Sequence, residues 1–253
     1  MKAILICFFS LLIAANLTGQ IVDIEAKRSN ISDTSGLFGY VDLSFNLIKN
    51  TRTITTIKGA VRLEWLKGRH RLLSLSNYNL TSVNDDRFIN NAFQHLRYNY
   101  ELNRWLSWEA FAQVQENEQI RIQFRGLLGT GPRFQVADSP KQKIYIGMLY
   151  MFEYNEVADT AFIQRDHRLS AYLSFFTSPN NLFSFSSTSY VQPEIIDPSD
   201  IRLTSSNTLQ FKITDQLAYR ASFVISYDSQ LAKEAQGVPS TNYKFLNGLR
   251  WVF

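Results

Sequence analysis

Cysteine, histidine and long apolar runs are scarce in this 253-residue chain. The one cysteine, Cys7, falls inside an apolar stretch at the amino terminus. Removing that stretch leaves no thiol, which excludes disulfides, zinc–thiolate centres and cysteine nucleophiles together. The three histidines, His70, His95 and His167, are far apart, and none stands at metal-ligand spacing from another. A helical membrane protein needs apolar runs of about 20 residues, and only the amino-terminal stretch approaches that. Neither charge sign dominates. There are 26 Lys and Arg against 22 Asp and Glu, and loss of Lys2 takes the 26 to 25. So small an excess argues against nucleic acid as a partner.

Lys2, the apolar run Ile4 to Ala15, and the small residues of Leu17-Thr18-Gly19 before Gln20 follow the order of a secretory signal peptide. We expect residues 1–19 to be removed on export, 20–36 to be a polar periplasmic lead-in, and 37–253 to form the mature fold. No cofactor is implied.

What the chain does have is aromatic residues, 14% of the total, set in short alternating runs. The last eleven residues are the clearest. Tyr243, Phe245, Leu249, Trp251 and Phe253 alternate with Lys244, Leu246, Gly248, Arg250 and Val252. Period two is a strand with one apolar and one mixed face. An aromatic residue closing such a strand resembles the signal that barrel assembly machinery reads on outer-membrane β-barrels, so Phe253 is the expected contact with that machinery.

Earlier runs repeat the pattern. Strands are predicted at 37–48, 53–66, 70–80, 91–102, 105–115, 120–136, 142–155, 167–176, 182–192, 201–213, 217–228 and 243–253. The third and ninth are the least regular, because Leu72 and Leu73 break alternation in one and serine crowds the other. The fold class expected is all-β, a closed antiparallel transmembrane β-barrel of about twelve strands, an even number. Short turns at 67–69, 103–104, 137–141, 177–181 and 214–216 alternate with longer loops at 81–90, 156–166, 193–200 and 229–240. Connections 49–52 and 116–119 are short exceptions. That asymmetry suits short periplasmic turns and longer outer loops.

Charge sorts in the same way. The apolar faces carry no Lys, Arg, Asp or Glu at mid-strand, where one would cost about 2–4 kcal/mol in lipid. Trp65, Trp105, Trp108 and Trp251 fall near one predicted end and Tyr78, Tyr154, Tyr227 and Tyr243 near the other, as interfacial girdles do. A soluble sandwich or lipocalin-like barrel would also alternate, but its strands are usually shorter. Lipid of the outer membrane is the expected surrounding.

Three segments carry a family likeness: Gly39-Tyr40-Val41-Asp42-Leu43-Ser44, Arg97-Tyr98-Asn99-Tyr100-Glu101-Leu102, and Arg125-Gly126-Leu127-Leu128-Gly129-Thr130-Gly131-Pro132-Arg133. Their order and spacing resemble the YdiY-like outer-membrane barrels, a family known as a domain of unknown function. The resemblance implies an exported barrel and brings no catalytic residues with it.

Gly126, Gly129 and Gly131 do not make a phosphate loop, since the Gly-Lys-Ser/Thr ending and a following helix are missing. Small residues where a strand bends or where interior side chains crowd are the expected reading. On the polar faces, Arg62, Arg97, Arg121, Arg125, Arg168, Arg202 and Arg220 are predicted to line the lumen. Glu101, Glu109 and Glu153 are their expected partners. Basic rings favour anions, so a narrow porin-like or solute-interacting barrel with a basic lumen, passing a small anionic solute, is one expectation. A lumen plugged by Arg–carboxylate pairs is another. A third, less favoured, is a lipid hydrolase using His95, because triads are defined by geometry and serines are plentiful here.

Overall fold

The computed structural model describes residues 35–84, 86–158, 163–214, 216–230 and 238–251. The predicted signal peptide 1–19, nearly all of the lead-in 20–36, and Phe253 lie outside these. Twelve strands follow in order: β1 (Gly36–Lys49), β2 (Thr53–Lys67), β3 (His70–Val83), β4 (Asp86–Glu101), β5 (Leu106–Asn117), β6 (Ile122–Ser139), β7 (Gln142–Val157), β8 (Ile163–Asn180), β9 (Phe183–Pro193), β10 (Ile201–Lys212), β11 (Leu217–Asp228) and β12 (Thr241–Trp251). Each pairs antiparallel with the next in one sheet ordered β1 to β12. The recorded pairings leave β1 and β12 as its two edges. No helix among the described residues is long and apolar enough to cross a membrane, which says nothing of strands.

Alternation decides the two faces. In β7, Ile146, Met148 and Tyr150 are exposed while Gly147, Leu149, Met151, Glu153 and Asn155 are buried. In β12, Tyr243, Phe245 and Leu249 are exposed on the same outer side. Charge is buried inside and apolar surface shown outside, the reverse of a water-soluble protein. The sheet curls strongly, since the Tyr172 hydroxyl on β8 donates to Glu109 on β5 and Arg202 on β10 reaches Glu153 on β7.

Connections at one end are short. Residues 68–69, 140–141 and 181–182 each join two strands, and Gly68 takes φ 56°, a left-handed value that a bare Cα accepts readily. At the other end, 194–200 and 229–240 are long as expected. The expected loop at 81–90 is not there. β3 runs to Val83 and β4 starts at Asp86. Asn84, at φ 50°, makes the turn and accepts from the Thr53 amide at 2.8 Å. Residues 81–83 and 86–90 of that stretch are therefore strand.

The two irregular strands have a physical cause. In β3 the inner face holds Leu73 and Leu75, packed with Phe93 in the interior. Its outer face holds Ser74 and Ser76, which bond Gln94 of β4. On the outer face of β9 and β10, Ser187 donates to Asn207, Asn207 to Ser205, and Ser205 meets Ser189. These polar groups satisfy one another, so an outward serine leaves no unmet hydrogen bond.

Candidate functional site

The interior charges form two ion-pair clusters, one toward each end of the strands. Toward the long-loop end, Glu153 is the hub. Arg168 Nε stands 3.1 Å from it, Arg125 Nε 3.1 Å, and Arg202 Nη1 also donates to it. Arg168 further bonds Asp166 at 2.9 Å and Asp200 at 2.6 Å, and Arg202 Nε bonds Asp228 at 2.7 Å. Glu153 and Arg168 are wholly shielded from solvent. Buried charges at this density persist only because each has partners.

Toward the short-turn end, Glu109 is the hub. Arg97 and Arg133 stand 3.3 and 3.4 Å away, Tyr172 donates at 2.7 Å, and Asn99 also donates. A smaller group places Arg62 and Arg71 on Glu64. Three arginines meet four carboxylates at the loop end, and Arg62, Arg71, Arg97 and Arg133 gather on Glu64 and Glu109 at the other.

Two aromatic rings are seated on glycines of a neighbouring strand. Phe111 of β5 lies opposite Gly129 and Tyr172 of β8 opposite Gly147. A Cβ on either glycine would run into the facing ring. Close approach of a ring, not a turn, fixes these glycines.

Of the predicted lumen residues, Arg62, Arg97, Arg125, Arg168, Arg202, Glu109 and Glu153 are buried on the inner face. Arg220 is on the inner face of β11 but exposed. Arg121 is not in a strand: a single 3-10 turn, Glu118–Ile120, ends there, and Arg121 caps it at φ 55°. The residues around it set this. Ile120 and Ile122 are both buried, and the ladder slips between Ile122 and Phe124, so the periodicity that placed Arg121 inside is interrupted. Glu101 is the last residue of β4 and is exposed. Arg133, Asp166, Asp200 and Asp228 complete the clusters. Arg133 shares the alternation of Arg125 and was readable; Asp200 sits in a loop that has no period.

His95 is fixed between Phe93 and Phe111, whose rings stack on it. Its Nε2 accepts from Arg97 Nε at 3.4 Å, so Nδ1 carries the proton and donates to Gln113 at 3.0 Å. Among the described residues no group of three or more His, Cys, Asp or Glu is arranged for a metal ion. Outside the strands, Glu194 has its carboxyl raised above the ordinary range, first by burial and then by Asp166 and Asp200 nearby.

Between the clusters lies a cavity of about 40 Å³, bordered by Arg97, Arg125, Arg202, Tyr172, Leu149 and Met151. That is room for a few water molecules.

A twelve-stranded antiparallel sheet with apolar residues outside and paired charges inside defines an all-β protein of the two-faced kind that barrels are made from. The chain belongs to the family described as "Protein of unknown function, DUF481", which matches residues 41–246, in line with the resemblance read from the sequence. No curated protein matches it. Similar solved structures include the NanC porin, at 13% identity over 86% of this chain and 98% of that one, TM-score 0.49. A KdgM porin in complex with disordered oligogalacturonate is 9% identical over 85% and 99%, TM-score 0.42. OprD from Pseudomonas aeruginosa is 8% identical over 87% and 82%, TM-score 0.32. These are likenesses of overall fold and no more.

Proposed function

We propose that β12 closes on β1 to make a twelve-stranded barrel in the outer membrane, and that this barrel is a narrow conduit for small solutes. The sorting of the two faces carries the reading. Exposed apolar side chains run across the outer side of all the strands, and paired charges fill the inner side. Lipid tolerates only a closed sheet, because edge amides and carbonyls have no partner there. Strands of 11 to 18 residues are long enough to span at a tilt. Export through residues 1–19 and recognition of Phe253 by assembly machinery belong to the same proposal.

The free passage in such a barrel would run beside β1 and β11, whose inner residues Tyr40, Asp42, Ser44 and Arg220 are exposed. The opposite wall, β4 to β10, carries the arginines and glutamates of the two ion-pair clusters. Reconstitution in planar bilayers tests the reading. Small, discrete conductance steps are expected. A pure, folded preparation that gives none would replace the conduit with a second reading that the fully buried Glu109, Glu153 and Arg168 favour, a barrel plugged by its own ion pairs.

The lipid hydrolase alternative finds little support. A catalytic histidine needs a lone pair for the nucleophile's proton, and the Nε2 of His95 is engaged by Arg97.

A further inference from the structure

The cavity between the clusters has an uneven lining. Three arginines, Arg97, Arg125 and Arg202, border it, and no carboxylate among the described residues does. The carboxylates that pair with these arginines are shared. Glu153 serves Arg125, Arg168 and Arg202, while Glu109 serves Arg97 and Arg133. Asp166 and Asp200 are taken up by Arg168, which is not part of the lining.

One donor is left over. Arg202 is 3% exposed, its Nε is engaged by Asp228 and its Nη1 by Glu153. Its Nη2 is buried and has no hydrogen-bond partner among the described residues. A buried N–H of a charged group without an acceptor is costly, and such groups normally have one. All three arginines are buried, so water screens their charges less than it would at the surface.

We infer that this cavity is a binding site for one small oxyanion of the size of acetate or inorganic phosphate, held by Arg97, Arg125 and Arg202. Oxygen acceptors suit the guanidinium fork, which bonds carboxylate and phosphate in pairs of parallel hydrogen bonds. The volume, about 40 Å³, suits an occupant of a few heavy atoms. The inference rests on the three-arginine lining and the unpartnered Nη2 of Arg202 and is independent of whether the barrel conducts.

Isothermal titration of the folded protein in uncharged detergent, with inorganic phosphate and with acetate, is the test. One site per chain is expected for at least one of the two. Gln113 also borders the cavity, and its Oε1 accepts from His95. Gln113→Glu keeps that acceptor and puts a carboxylate among the arginines, so it should weaken anion binding by at least about tenfold. Arg202→Lys, which keeps the charge but loses the fork, should also weaken it. If Arg202→Lys fails to fold, Gln113→Glu still decides. No binding of either anion to the native chain, or native affinity in Gln113→Glu, would overturn the site.

Discussion

The Tyr172 phenol donates to Glu109 Oε2 at 2.7 Å, tying β8 to β5 over two intervening strands. It also accepts from Arg133 Nη1 at 2.9 Å, so one hydroxyl bridges an acid and a base in a region shut off from solvent. Tyr172→Phe keeps the ring on Gly147 and removes both bonds. Hydrogen bonds to charged groups are worth about 1.5–3 kcal/mol. We expect a loss of about 2 kcal/mol, read as a lower urea midpoint in detergent micelles with an unchanged slope.

Gly147 is the complementary test. It lies opposite Tyr172, and a methyl group there would meet the ring. Gly147→Ala should displace the phenol from Glu109 as well as crowd it. Overpacking of this kind costs about 1–3 kcal/mol. Since both changes act on the same hydroxyl, the double variant Gly147→Ala/Tyr172→Phe should lose less than the two single losses added together. Full additivity in the urea midpoints would mean that the ring and the glycine do not act on one another.

What could be read from the chain, and what could not, follows from the range of the forces involved. The faces of β7 and β12 were legible because period two is local and Ile146, Met148 and Tyr150 obey it without exception. β3 was less so, because Leu73 and Leu75 turn inward to Phe93 and serines take the outer side. The pair Ile120 and Ile122 anchors a 3-10 turn that removes Arg121 from the strand, and nothing in the alternation announces a slipped register. Partner choice was the least visible. Arg202 and Glu153 are 49 residues apart, and they meet because the curl of the sheet brings β10 over β7. For strand residues such as Arg202 and Glu153 the alternation told the side, but not the partner.

Glu153 and Glu101 should therefore behave differently, although both were expected to pair with lumen arginines. Glu153→Gln leaves Arg125, Arg168 and Arg202 with a neutral hub in a buried setting. Removing one partner of a buried ion pair costs about 3–5 kcal/mol. Glu101 is exposed at the end of β4, and Glu101→Gln should stay within about 0.5 kcal/mol of the native chain. Urea midpoints of both variants, measured side by side, check the contrast; equal losses would contradict the burial seen for Glu153.

Glu194 gives the pH dependence its sign. It follows β9 in the long loop, half-buried, with its carboxyl raised by burial and by Asp166 and Asp200. A folded carboxyl raised above its unfolded value binds its proton more tightly in the native state, so it lowers stability as pH rises from the ordinary carboxylate range through the raised value. Below that range it is protonated in both states and has no effect. Glu194→Gln removes the ionised form altogether. The variant should be more stable than the native chain at neutral pH, and equal to it at about pH 3.5, below the ordinary carboxylate range. Partial exposure to water keeps the gain below about 1 kcal/mol. Urea titrations in micelles at the two pH values check this. A gain of the same size at both would point to a packing effect, and a loss at neutral pH would mean that the Glu194 charge is favourably partnered, with Arg168 the nearest candidate.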